Sequence, residues 1–369
     1  MNVFLITAPF QVLNAVEAIH HFNFENNKLI ILLIGLFNKS QYEGIIDKHH
    51  WQTVKYVTFY NCITKRSINY DFGAVRPINI YERTLELYLT FYQFIKRRRI
   101  DRLAESVGLV DNLILGSYRS DYDLHFRHFA NRVNCKDIYV IDVGTNTLDF
   151  QRKSDDLNKS TKSDEFDGKN TFNRFKKRIR KNFIDWDDIG KKRVKFFTCY
   201  DCDESEQDQV IKNNYKYLKS SMQSCSISDD VMFLGESSVD DGLLSFDVYL
   251  EYLSRIKTYF GESDLVYVPH PRESEKYVQI IRESLRFKIE RFNVPIEYAL
   301  LAGGRRPRCL ASFFSSALQN CSVIFGESLI IKSFRLREDH LLKGKDMVDR
   351  IYSHFASKKS GNIEVIFDY

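Results

Sequence analysis

Pro269-His270-Pro271-Arg272 sets an imidazole between two prolines at the end of the apolar run Val266-Tyr267-Val268. Proline fixes φ near about −65° and pushes the preceding residue toward extended geometry, so Pro269 and His270 are both held out of the helical region. The run reads as a β-strand, and open α/β sheets bind their ligands at the carboxyl ends of strands. A histidine placed there, with a pKa near neutrality, can give a proton to a leaving group or contact a phosphate. The alternative is a surface turn that happens to hold a histidine.

Three further stretches carry chemistry-bearing residues. Ile141-Asp142-Val143-Gly144-Thr145-Asn146 puts a carboxylate at a strand end before a glycine; Asp142 is either a base for a hydroxyl proton or a turn cap. Gly235-Glu236-Ser237-Ser238-Val239-Asp240-Asp241-Gly242 is a second acidic strand end. Gly235 there allows backbone to approach a nucleotide, and Asp240 and Asp241 offer a base or ribose anchor or ordinary turn chemistry. In Ser312-Phe313-Phe314-Ser315-Ser316-Ala317-Leu318 two hydroxyls enter a helix, as a phosphate nest or a plain N-cap. Glu297, near the start of another helix, is a candidate for ribose hydroxyls or a first-turn acid that suits the helix dipole. GxGxxG, Walker A, HExxH and GxSxG are all missing, which argues against dinucleotide redox, P-loop and common hydrolase chemistry.

The elements that must position these residues alternate. Val3 to Ile6 is a strand, followed by a helix in which Val12, Ala15, Val16 and Ile19 recur at helical spacing, with Thr7 as cap and Pro9 in its first turn. Strands are expected at Leu29 to Leu36, Leu113 to Leu115, Ile138 to Ile141, Val231 to Leu234, Leu265 to Val268 and Val323 to Phe325. Helices are expected at Tyr81 to Phe94, Phe246 to Phe260, Pro295 to Leu301, Ser315 to Asn320 and Asp346 to Ala356, the last closing the chain. Gln151 to Asn170 is nearly free of aliphatic residues and reads as an exposed loop, a lid or an oligomer contact, so a homodimer is among the expected states. Glu206 to Asp230 reads as helical and then loop-like, and joins an N-terminal unit, 1–220, to a C-terminal unit, 221–369. The alternation makes α/β the expected class.

With 369 residues the chain is long enough for two domains. A formal charge of +5 calls for no nucleic-acid partner, but the basic clusters at Lys96 to Arg102 and Arg174 to Lys181 would suit anionic headgroups or phosphates as well as a solvated face. No stretch reaches the roughly 18 apolar residues of a membrane span, and the first residues read as a buried strand rather than a signal peptide. Of the seven cysteines only Cys199 and Cys202 form a close pair, so neither a metal site nor a disulfide framework is expected, as in a reducing cytoplasm.

Taken in order, these motifs resemble the bacterial sialyltransferases of glycosyltransferase family 52, which cap lipooligosaccharide and O-antigen. The resemblance runs from Thr7-Ala8-Pro9-Phe10-Gln11 through Asp142-Val143-Gly144-Thr145 and Pro269-His270-Pro271-Arg272 to Ser312–Leu318, with Glu297 at the family's distance before the serine element. Val143 stands where the family shows a second acidic residue. The resemblance implies a GT-B fold, with two Rossmann-like domains facing a central cleft. It implies CMP-N-acetylneuraminic acid as donor, no cofactor or metal, and a terminal galactose-type sugar of an oligosaccharide or lipid-linked acceptor, joined α-2,3 with inversion. His270, as imidazolium, would then serve the departing phosphate, Ser315 and Ser316 would hold it, and Asp240, ahead of Asp142, would be the base. Gln11, Thr145, Gly235, Asp241, Arg272 and Glu297 would bind substrate. The expected location is cytoplasmic, peripheral at the inner face of the inner membrane. A UDP- or GDP-sugar transferase or epimerase, or a non-catalytic glycan-binding assembly protein, are the competing readings.

Overall fold

The computed structural model describes residues 1–33, 37–58, 80–118, 124–142, 144–145, 147–148, 193–202, 208–221, 226–261, 264–303, 305–357 and 362–369, with only the helical backbone of 80–90, 92–93 and 124. The expected loop at 151–170, the basic cluster at 174–181, Val143 and Asn146 lie outside these residues.

Two parallel sheets carry the molecule. The first runs through β1 (Asn2–Ile6), β2 (Asn27–Leu33), β3 (Thr53–Thr58), β4 (Val110–Leu115), β5 (Cys135–Ile141), β6 (Lys195–Thr198) and β7 (Gln209–Lys212), in the order β3-β2-β1-β4-β5-β6-β7. The second holds β8 (Ser226–Leu234), β9 (Leu265–Val268), β10 (Lys288–Ile289), β11 (Arg305–Ser312), β12 (Ile330–Phe334) and β13 (Ile363–Ile366), in the order β10-β9-β8-β11-β12-β13. Every pairing is parallel. Helices cover both sheets, which is why the central strands are apolar on both faces: Val3, Phe4, Leu5 and Ile6 are all fully buried. This is the GT-B-like, two-sheet α/β architecture.

Each sheet reverses its strand order once, between β1 and β4 in the first and between β8 and β11 in the second. Such switch points open a crevice at the strand ends, where ligands bind. The halves also share a core. Leu13, Tyr200 and Tyr215 pack in one apolar cluster with Leu234, Leu300, Leu318 and Phe355. Polar bonds within the first half fix the residues it contributes: the Tyr215 hydroxyl donates to Asn14 Oδ1 at 2.8 Å, and the Glu17 carboxylate accepts the amides of Tyr217 and Leu218, both at 3.1 Å.

Several expected elements change. Val323 to Phe325 is the last turn of a helix, Ser316–Phe325, not a strand. Asp346 to Ala356 is helical within Lys345–Ala356, but β13 follows it, so it does not close the chain. The stretch read as helix and then loop before Asp230 contains β7 and the first half of β8, and among its described residues only Lys216–Ser220 is helical. Thr7 does not cap the first helix, Phe10–Phe22: the cap position is Pro9, without a side-chain bond, and the Thr7 amide donates to Gln11 Oε1.

Candidate active site

The switch point of the second sheet is built around Glu236. This residue follows β8, and its Oε1 accepts the Phe314 amide at 2.6 Å and the Ser312 hydroxyl at 3.1 Å, across to the loop after β11. Oε2 accepts the Ser238 hydroxyl at 3.2 Å. The carboxyl is fully enclosed, and burial pushes its pKa up to about 7 against the pull of those donors. Glu236 was not singled out in the sequence, where it is one acid among several in its loop. Its place directly after an apolar strand, before two serines, is the signal that was there.

Next to it stands the histidine loop, on β9. The His270 amide donates to Glu273 Oε2 at 2.5 Å, and the Tyr267 hydroxyl donates to Glu273 Oε1 at 2.5 Å. Burial pushes Glu273 up to about 8. The Arg272 amide donates to His270 Nδ1 at 3.1 Å, so Nδ1 is an acceptor and the proton of the neutral ring sits on Nε2. Burial first, then the Arg272 charge, lowers the His270 pKa to about 4, with Asp241 pulling weakly the other way. At neutral pH the free protein therefore carries a neutral imidazole here. Gly235 explains its own identity, because a Cβ would run into the Tyr267 hydroxyl and the Glu273 carboxylate. The close approach its sequence position promised is made by these two side chains.

The serine element begins the Ser316–Phe325 helix. Ser315 is its N-cap, accepting the Ala317 amide at 3.3 Å, and Ser316 occupies the first turn. From the other half, Gly144 reaches this helix start at φ 90°, and a Cβ on it would lie 2.9 Å from Ser316 Oγ. Asp142, two residues earlier, is 1% exposed; its Oδ2 accepts the Cys199 amide at 2.8 Å. Burial raises its pKa to about 6, while Thr198, Cys199 and Thr147 pull it down. A chain of contacts continues from there: the Cys199 thiol lies 3.5 Å from Asn320 Oδ1, and Asn320 Nδ2 donates to Glu297 Oε1 at 2.8 Å. Glu297 is buried, and its pKa is raised by that burial.

These loops enclose a cavity of about 310 Å³ between the halves. Gln11 and Gly144 line it from the first half, and Gly235, His270, Glu297, Ser315 and Ser316 from the second. Gln11 also pins its own switch point, accepting the Thr7 and Ala8 amides and donating to the Gly116 carbonyl at 2.7 Å. Asp240, Asp241, Arg272, Thr145 and Asp142 are not among the lining residues. Asp240 Oδ2 accepts the Ser274 amide at 2.9 Å, and Asp241 is paired with Arg272 at 3.1 Å and with the Ser237 hydroxyl at 2.5 Å.

Among the described residues, no group of three or more His, Cys, Asp or Glu is disposed to hold a metal ion. The chain does contain three Asp-x-Asp triplets, Asp121-Tyr122-Asp123, Asp185-Trp186-Asp187 and Asp201-Cys202-Asp203, which the sequence reading of metal-free chemistry left out of account, and the second of them lies outside the described residues. Asp201 is ion-paired with Lys212 at 2.5 Å; Asp121, Asp123 and Asp203 lie outside the described residues. No helix among the described residues is long and apolar enough to cross a membrane.

Residues 2–331 match the alpha-2,8-polysialyltransferase (POLYST) family, so the chain belongs to this bacterial sialyltransferase family and is a glycosyltransferase. No curated protein matches it. Among solved structures it is similar to S. aureus MnaA solved with UDP, at 8% identity over 98% of this chain and 89% of that one, TM-score 0.50. UDP-GlcNAc 2-epimerase from Neisseria meningitidis shares 9% identity, covering 99% and 95%, TM-score 0.49. An alpha/beta-galactoside alpha-2,3-sialyltransferase from Photobacterium phosphoreum shares 12%, covering 99% and 97%, TM-score 0.47.

Proposed function

We propose that the protein transfers N-acetylneuraminic acid from CMP-N-acetylneuraminic acid to a terminal galactose of a surface glycan, α-2,3, with inversion and without a metal. The observation that carries this reading is the meeting, in one cavity, of His270, the Ser315–Ser316 helix start and Glu297, from three separate stretches of one sheet's loops. One phosphate fits such a set: the helix start and hydroxyls offer donors, and the neutral His270 offers Nε2–H. The arriving anion would raise the imidazole pKa, so that a proton can follow the charge developing on departing CMP. Glu297, held by Asn320, is the ribose anchor in this reading.

For the base we place Asp142 ahead of Asp240. Its pKa of about 6 suits a group that is ionised near neutrality yet basic enough to take the acceptor hydroxyl's proton. Its loop, through Gly144, packs on the serine helix. Each carboxylate accepts a backbone amide, Asp142 from Cys199 and Asp240 from Ser274, and neither lines the cavity, so the choice rests on the raised pKa of Asp142 and the contact its loop makes with the serine helix. The family's description, alpha-2,8-polysialyl transfer, favours a second reading of the linkage, onto a terminal sialic acid.

The test is direct. CMP should bind more tightly than UDP by calorimetry, and CMP release from the donor should continue in EDTA. Tighter UDP binding, or activity lost to EDTA and restored by Mg²⁺ or Mn²⁺, overturns the donor and metal assignments. A panel of galactose- and sialic-acid-terminated acceptors, with linkage analysis of product, separates α-2,3 from α-2,8. Binding of glycan without any CMP release would favour an assembly protein. We place the protein at the inner membrane face, held by its basic clusters; vesicle flotation that fails at low salt removes that placement.

A further inference from the structure

A continuous hydrogen-bonded path runs behind the cavity wall and joins the serine loop to the histidine loop. Glu236 holds the Phe314 amide and the Ser312 hydroxyl. Its own amide donates to the Tyr249 hydroxyl at 3.2 Å, which lies 3.0 Å from the Tyr267 hydroxyl. Tyr267 donates to Glu273, and Glu273 holds the His270 amide. The two tyrosines are buried, at 1% and 0% exposure, so their hydroxyls have no water to fall back on. The two loops come from opposite sides of β8, one after β9 and the other after β11, and no backbone pairing ties one to the other.

The geometry points to Glu273 as a positioning residue, which through Tyr267 and Tyr249 sets His270 against the serine helix. This rests on the proposed reading that those two loops share one phosphate. Glu273 itself does not line the cavity. It acts by holding a backbone amide, and Gly235 is the gap that lets it stand close behind the loop. Burial holds its carboxyl largely protonated at neutral pH, which spares an incoming anion a buried negative charge behind the histidine. A glutamine keeps one neutral oxygen to accept the His270 amide while its Nε2 can only donate, toward the Tyr267 oxygen; an alanine keeps neither.

The experiment compares Glu273→Ala, Glu273→Gln and Tyr267→Phe in the full chain, with circular dichroism and thermal melts to show which variants fold. Glu273→Ala should lower kcat by roughly 10- to 100-fold, the effect of a reacting group displaced by about an ångström, with a much smaller change in KM. Glu273→Gln should recover activity to within about tenfold, since one neutral hydrogen bond is at stake. Tyr267→Phe, which keeps the ring and removes only the linking hydroxyl, should fall between them. Independently of turnover, the His270 amide should exchange its hydrogen on the order of tenfold faster in Glu273→Ala than in the parent or in Glu273→Gln. If all three variants keep the parent kcat, or alanine exchanges no faster, the positioning role is wrong. If Glu273→Ala does not fold, equal kcat in Tyr267→Phe and Glu273→Gln with unchanged exchange overturns it. A parent that neither binds CMP nor releases it from the donor sinks the donor reading instead, and leaves the exchange comparison to decide on Glu273.

Discussion

The two sheets solve one structural problem with different chemistry. At each switch point a side chain from the segment after the first strand, the opening turn of a helix in one sheet and a loop in the other, crosses to the loop after the second. In the first sheet that side chain is Gln11, a neutral amide that takes two amide protons and gives one to the Gly116 carbonyl. In the second it is Glu236, a buried acid that takes an amide and two hydroxyls. A second buried acid, Glu273, stands beside it. Among the described residues, the second half thus keeps two ionisable groups directly behind the loops that face the cavity. In the first half the candidate base, Asp142, lies farther along the sheet, just after β5 and under its own loop. The difference suggests a division of labour, with the second half gripping the donor and the first supplying the base.

The largest effects test that division. His270→Ala and Asp142→Asn should each lower kcat by on the order of 10²–10⁴, the usual worth of a general acid or base. They should differ in binding: CMP affinity should survive in Asp142→Asn and weaken in His270→Ala. Stopped-flow rates with calorimetry would show it, and equal losses of CMP affinity in both would dissolve the division. The acid limb of the wild-type rate should fall near pH 6, because Asp142 must lose its proton to act. Next in size, Ser315→Ala with Ser316→Ala should weaken CMP by about tenfold or more while sparing cytidine, since charge-assisted hydrogen bonds carry roughly 1.5–3 kcal/mol. Equal weakening of both ligands would mean a damaged helix start.

The sequence showed this second half more clearly than the first. Val266–Val268 is an apolar run stopped by prolines, and Val231–Leu234 and Ser312–Leu318 are as plainly bounded, so β8, β9 and the serine helix were legible. Strands that escaped are short or polar: β6 has four residues, β3 alternates at a sheet edge, and β11 starts on Arg305-Arg306-Pro307. Val323 to Phe325 was misread because a β-branched apolar triplet looks alike in a strand and in a buried helix end. Among the acids, sequence favoured Asp240, then Asp142, and passed over Glu236 and Glu273, since all sit in polar strand-end loops. What separates them is depth. The enclosed ones are held protonated to higher pH by desolvation, and that depends on which loops the sheet order brings together.

A stability measurement probes the same contrast more gently. Glu236 and Glu273 have pKa values raised from 4.5 to about 7 and about 8, so between those limits the native state keeps protons that the unfolded chain has lost. The contribution of these two acids to stability therefore falls as pH rises through this window, by up to about 1.4 kcal/mol per pH unit for each such proton. Glu273→Gln carries no such proton, and its stability should decline less steeply from pH 5 to about 8 in urea titrations. Gln11 cannot titrate, so Gln11→Ala should lower stability without changing the slope. A slope identical in all three proteins would mean that the acids are not held protonated, and the contrast between the switch points would lose its electrostatic half.

The smallest expected effect concerns Asp240, the acid that most resembled a base in the sequence. Its Oδ2 accepts the amide of Ser274, at the start of the Glu275–Leu285 helix, and asparagine keeps an oxygen there. Asp240→Asn should therefore cost less than about 1 kcal/mol of stability and change kcat by less than about threefold, as a half-retained neutral hydrogen bond would. Asp241→Asn releases one partner of the partly exposed Arg272 pair, and such pairs contribute roughly 0–1 kcal/mol. Should Asp240→Asn instead abolish transfer while CMP still binds, and Asp142→Asn remain active, the base belongs to the second half. Both chemistries would then sit on one sheet, and the first half would serve the acceptor alone.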